Sequence, residues 1–137
     1  MIQVLKYLKY LEYLKLEEMD NKEFGIQLES RTKKFAISII RLSVLLPYSP
    51  EGKVIRTQIT KSGSSIGANY REANRSRSKA DFANKIKICE SESNETLYWL
   101  EIIVDLDWVK NTKTDSLLKE AEELLAIFTS ISNSLKS

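Results

Sequence analysis

Histidine is absent from this 137-residue chain, and cysteine occurs once, as Cys89. Without histidine the chain lacks the commonest general base and the commonest metal ligand. A single cysteine excludes an intramolecular disulfide and any cysteine-built metal cluster. Glycine (four residues) and proline (two) are scarce, so little punctuates the chain into turns. No apolar run approaches the roughly 20 residues that span a bilayer. The N-terminus also lacks the unbroken apolar core of a secretory signal. These absences lead to the expectation of a cytoplasmic protein with no membrane association. The residues that are abundant (Leu, Ile, Lys, Glu and Ser) favour long helices. Hydrophobic content of 42% and charged content of 29% fit an ordinary globular domain, and the length suffices for one core.

The net charge of +2 conceals an uneven distribution. Residues 53–87 carry nine basic side chains against two acidic, whereas residues 88–137 carry four basic against ten acidic. A compact basic zone attracts polyanions even on a nearly neutral protein.

Apolar residues in steps of three and four mark four helices. The first carries Phe35, Ile39, Leu42 and Leu46, broadened by Ile37, Ile40, Val44 and Leu45, with Ser30 as expected N-cap and Pro47 as its stop. Ser49-Pro50-Glu51 opens the second as an N-cap, a first-turn proline and a first-turn acid. Ser78 to Asp81 reads as a capping box opening a third helix over 79–109, with Phe82, Ile86, Cys89, Ser93, Thr96, Leu100 and Ile103 on one face. Cys89 therefore reads as a buried, inert thiol. The last helix carries Leu117, Ala121, Leu124, Phe128, Ile131 and Leu135, with Glu120, Glu122 and Glu123 early in it.

The third helix is apolar on most of its circumference after Leu97, which predicts burial on several sides. An oligomer interface is accordingly expected at Trp99, Ile102, Leu106, Trp108 and Val109. Residues 1–29 read as an N-terminal extension and 30–137 as one all-α domain. In the extension, a triplet repeat of Leu5-Lys6-Tyr7, Leu8-Lys9-Tyr10 and Leu11-Glu12-Tyr13 drifts about 60° per triplet around a helix, so its leucines form no stable face. It is expected to be an extra helical or disordered segment, non-native before Met19, with a membrane-surface helix as the alternative.

The stretch 59–82, ITKSGSSIGANYREANRSRSKADF, poses the main question. The rhythm Ile55, Ile59, Ser62, Ile66, Asn69 or Tyr70, and Ala73 runs through its small residues, as a phosphate loop would not allow. The pattern G-x-x-x-x-G-K-[ST] is absent. Gly63 and Gly67 instead share a helix face, and each glycine costs about 1 kcal/mol relative to alanine there. Close approach of a neighbouring helix is the reason expected. With a turn near Arg75–Arg77, the second and third helices form a hairpin whose packing seam contains Ser62, Gly63, Gly67 and Asn69. The expected register sets Ser62 by Ser91, Asn69 by Asn84, and both glycines against 86–90.

Ser62-Gly63-Ser64-Ser65-Ile66-Gly67-Ala68-Asn69, Glu72-Ala73, Ser78-Lys79-Ala80-Asp81-Phe82 and Tyr98-Trp99-Leu100 together resemble the bacterial 23S rRNA intervening-sequence protein family. The likeness covers about 31–135. It implies that residues 30–137 form an antiparallel up-down four-helix bundle, related to the accessory variability determinant of diversity-generating retroelements. That relative is a homopentamer with a basic surface that binds nucleic acid and a reverse transcriptase.

Three functional classes follow. In the first, an oligomeric, non-enzymatic protein binds RNA or DNA phosphates through Lys53, Arg56, Lys61, Arg71, Arg75, Arg77, Lys79, Lys85 and Lys87. In the second, the protein is an adaptor, for example for a reverse transcriptase, without nucleic-acid binding of its own. The third is a Mg²⁺ nuclease using Glu90, Glu92, Glu95, Glu101 and Asp105. Those acids are spread over several faces, so no enzyme, catalytic residue, metal or cofactor is expected.

Overall fold

The computed structural model describes residues 21–136. The triplet repeat and the start expected at Met19 lie outside the described residues. Within them the chain forms α1 (Asn21–Ser43), α2 (Pro50–Ala73), α3 (Lys79–Asp105) and α4 (Asn111–Ser134). Each helix packs on the next, α1 meets α4 more sparsely, and α1 does not touch α3. This is an up-down-up-down bundle with α1 and α3 on one diagonal, as short connections require. Fully buried Ile59, Ile66, Ile86, Leu100, Ile103, Leu124, Ile127 and Phe128 fill its centre. Each such side chain contributes about 1.5–3 kcal/mol by leaving water. Tyr70 meets Phe128 edge-on, with ring centroids 5.6 Å apart.

The caps explain where the helices begin and end. Ser49 Oγ accepts the Gly52 N–H at 3.0 Å, and Ser78 Oγ accepts the Asp81 N–H at 3.0 Å. A Cβ on Gly52 would lie 1.9 Å from the Pro47 carbonyl oxygen, so the chain can fold back over the start of α2 only with glycine there. Ser30 lies inside α1 rather than at its N-cap, because the buried stripe already includes Leu28. The third helix stops at Asp105 rather than 109. Asp107 takes a left-handed backbone (φ 56°), its N–H reaches the Val104 carbonyl, and the Trp108 N–H reaches that of Ile103. This is the Schellman arrangement, with aspartate in the position glycine usually fills. It turns Trp108 back against the core and buries Val109 within the chain. Val109 thus belongs to the core of a single copy, not to its outside.

The small-residue stretch lies within α2, and it divides between two neighbours. A Cβ on Gly63 would sit 2.8 Å from Ile39 Cγ2, and one on Gly67 would sit 3.1 Å from Thr32 Oγ1. The glycines therefore admit α1, not the 86–90 stretch of α3. Ser62 faces α3 instead, since successive residues turn about 100° around a helix. Its partner is Thr96, whose Oγ1 lies 2.9 Å from Ser62 Oγ, five residues beyond the expected Ser91. The register shifts because α3 starts beyond the end of α2, leaving Lys79, Ala80 and Asp81 exposed. Asn84 is likewise exposed, and Asn69 donates to the Ser65 carbonyl of its own helix at 2.8 Å rather than across the seam.

Candidate nucleic-acid interface

The nine cations expected to act together separate into groups along the bundle. Lys53 and Arg71 are 18 residues apart on α2, about 27 Å along the axis. Arg56 is occupied at the far end, where it donates to the Leu46 and Pro47 carbonyls and lies 4.8 Å over the Tyr48 ring. Its role there is to hold the α1–α2 connection. Lys61 stands exposed midway. The remaining six lie at the end where α2 turns into α3.

At that end, Arg71, Arg75, Arg77 and Lys79 are all exposed on or beside the protruding 74–78 turn. The N-terminus of the 27-residue α3 adds the positive end of its dipole. Lys85 is half-buried and pairs with Glu72 at 2.9 Å, which raises its pKa through the hydrogen bond to that carboxylate. Lys87 makes a longer contact with Glu90, 3.5 Å. Arg77 and Lys79 have no ion pair among the described residues.

One residue of this site was not foreseen from the sequence. Glu29 of α1 accepts the Asn74 side-chain N–H at 2.9 Å and stands 3.5 Å from both Arg71 and Arg75. The Asn74 hydrogen bond, then Arg75 and Arg71, hold its carboxyl below the usual range. A carboxylate therefore bridges the two arginines. The antiparallel pairing that sets Gly63 on Ile39 also sets Arg71 near Glu29. No sequence signal short of that pairing reveals it.

A second buried-edge cluster ties α1 to α4. Arg31 meets Glu120 through two parallel hydrogen bonds of 2.7 and 2.6 Å and Glu123 through one of 2.5 Å. Burial raises the Glu123 pKa despite Arg31, and the neighbouring Glu120 adds to the rise. The cluster borders an open groove of about 620 Å³ between α1 and α4, with Phe35 and Leu117 in its lining.

Two of the five acids of the nuclease hypothesis have partners of their own. Glu90 faces Lys87, and Glu95 accepts the Trp99 indole N–H at 3.3 Å. Glu92 is pushed up in pKa by burial and by Glu95. No three His, Cys, Asp or Glu side chains among the described residues are grouped to hold a metal ion. Burial pushes the Cys89 thiol up to about 12, and its Sγ lies 3.5 Å from the Ile66 carbonyl oxygen. Of the residues expected at an oligomer interface, Leu106 is exposed, Ile102 is half-buried, and Trp99 and Trp108 are half-buried against the core. No described helix is long and apolar enough to cross a membrane.

Comparison with known proteins agrees with this architecture. The crystal structure of a protein of unknown function from the S23 ribosomal protein family of Bacteroides thetaiotaomicron VPI-5482 is 36% identical in sequence. It superposes with a TM-score of 0.70, covering 76% of this chain and 96% of that one. No curated protein matches the chain significantly. The family model for the 23S rRNA-intervening sequence protein matches residues 25–130, all four helices, and the chain belongs to that family.

Proposed function

We propose that this chain is a non-enzymatic, self-associating accessory protein that holds nucleic-acid phosphates at the α2–α3 turn. The observation that carries the reading is the exposure of Arg75 and Arg77 on the protruding 74–78 turn with Arg71 and Lys79 beside it. Guanidinium groups match phosphate oxygens in pairs, and an exposed turn can follow a backbone without reading bases. Among the described residues no aromatic platform stands free beside them: Tyr70 is buried and Phe82 packs against the core. The binding is therefore electrostatic and sequence-independent. A cytoplasmic location and a pentameric copy number, the latter implied by the family likeness, belong to the same proposal.

The test is fluorescence anisotropy with a labelled single-stranded RNA and a labelled DNA duplex between 50 and 200 mM salt. If four phosphates are neutralised, log K falls against log salt with a slope of about −3 to −4. Arg71→Glu, Arg75→Glu and Arg77→Glu together abolish binding and leave helicity intact. Glu29→Gln removes the competing carboxylate and tightens binding. Binding that survives the triple arginine change places the site elsewhere.

An adaptor for a protein such as a reverse transcriptase is the second reading. It is favoured by the large apolar side chains left exposed, such as Val44, Tyr48 and Val54. Protein free of nucleic acid that binds only such a partner would support it.

A further inference from the structure

α1 is apolar on two opposite sides. One side supplies Leu28, Phe35, Ile39 and Leu42 to the core. The other presents Ile37 and Ile40 to solvent, 40% and 44% exposed, and Val44, 62% exposed, extends the stripe just past the helix end. A helix inside a monomer needs only the first stripe. The outer stripe is flanked by Lys33, Lys34 and Arg41, all exposed, and no acid occurs between Ser30 and Pro50.

α3 carries a counterpart of opposite sign. Away from the core it presents Tyr98 (56% exposed) and half-buried Ile102, continued at the C-cap by Leu106 (46%). Here the flanking residues are Glu95, Glu101 and Asp105, all exposed, and no base occurs between Ile88 and Val109. A shallow hollow of about 400 Å³ lies on this face, lined by Ser91, Asn94, Glu95, Tyr98 and Glu101.

We propose that α1 of one copy packs lengthwise against α3 of the next copy, through these two stripes. The inference rests on the reading that the chain self-associates, and it names the surfaces. Charge decides the pairing. Two α1 stripes face to face would set Lys33, Lys34 and Arg41 against their own copies, and two α3 stripes would set acid against acid. Only the mixed pair brings opposite charges together around apolar centres. Geometry decides the register. α1 and α3 occupy one diagonal and point the same way, and both stripes lie toward their C-terminal ends, so neighbours join at the same height.

The experiment uses the full chain in light scattering coupled to size exclusion at micromolar concentration. Circular dichroism monitors folding. One variant carries Lys33→Glu, Lys34→Glu and Arg41→Glu, and a second carries Glu95→Lys, Glu101→Lys and Asp105→Lys. Each alone shifts the wild-type assembly to the single-chain mass with helicity unchanged. A chain carrying all six changes restores the assembly, because the complementarity is merely inverted. Assembly that survives either triple change, or that the six-fold variant fails to restore, overturns the proposal. A wild-type monomer also overturns it and leaves the stripes to another occupant, residues 1–20 or a foreign protein. Nucleic-acid binding by such a monomer leaves the phosphate reading standing, whereas an assembled wild type that binds no nucleic acid refutes that reading alone.

Discussion

The two sides of α2 solve the same packing problem by opposite means. Toward α1, side chains have been removed: Gly63 receives Ile39, and Gly67 receives Thr32. Toward α3, small hydroxyls and a thiol remain, and each polar atom is satisfied. Thr96 Oγ1 has two acceptors for its single proton, Ser62 Oγ at 2.9 Å and the Glu92 carbonyl at 2.8 Å. Ser93 Oγ donates to the Cys89 carbonyl at 2.8 Å, and Ser62 Oγ reaches that of Ile59 at 3.3 Å. The glycine side is intolerant of added volume but asks nothing of hydrogen bonding. The hydroxyl side has the reverse sensitivity, softened because its donors have alternatives.

The largest expected effect strikes the glycine side. Gly63→Leu places a branched side chain where even a Cβ meets Ile39 at 2.8 Å. It is expected to destabilise by about 3 kcal/mol or more, read as a lower urea midpoint. Alkaline pH comes next and concerns the other side. The folded Cys89 thiol titrates at about 12 against an ordinary 9.0. Its share of stability is complete below pH 9 and declines as the unfolded thiol ionises, by about 1.4 kcal/mol at pH 10. Cys89→Ala is expected to flatten this part of the pH profile of Tm. An unchanged profile would show that Cys89 is not sealed in the seam.

Smaller effects sharpen the contrast. Gly63→Ala gains helix propensity but crowds fully buried Ile39, for a net loss of about 1 kcal/mol. Ser62→Ala costs about 1 kcal/mol or less, since the Thr96 hydroxyl turns to the Glu92 carbonyl. The double change with Thr96→Val is less than additive in a double-mutant cycle. Gly67→Ala is the mildest. Its nearest contacts, 3.1–3.3 Å to Thr32, roughly cancel the propensity gain, so its midpoint stays near wild type. Equal losses at Gly63 and Gly67 would remove the distinction between them.

Local sequence signals determined the four helices, the caps at Ser49 and Ser78, the burial of Cys89, and the fact that Gly63 and Gly67 admit a neighbour. These are local properties: a repeat of 3.6 residues, a hydroxyl three residues before an N–H, a missing Cβ. Which helix the glycines admit, and that Ser62 meets Thr96, were decided by the tertiary structure. One residue turns a side chain by about 100°, and a few residues of overhang at the 74–78 turn shift every pairing beyond it. The site divides in the same way. Exposed Arg71, Arg75, Arg77 and Lys79 stand together because they are close in sequence. Glu29 joins them, and Lys53 and Arg56 leave them, because helix length and antiparallel packing fix distances that a linear charge count cannot contain.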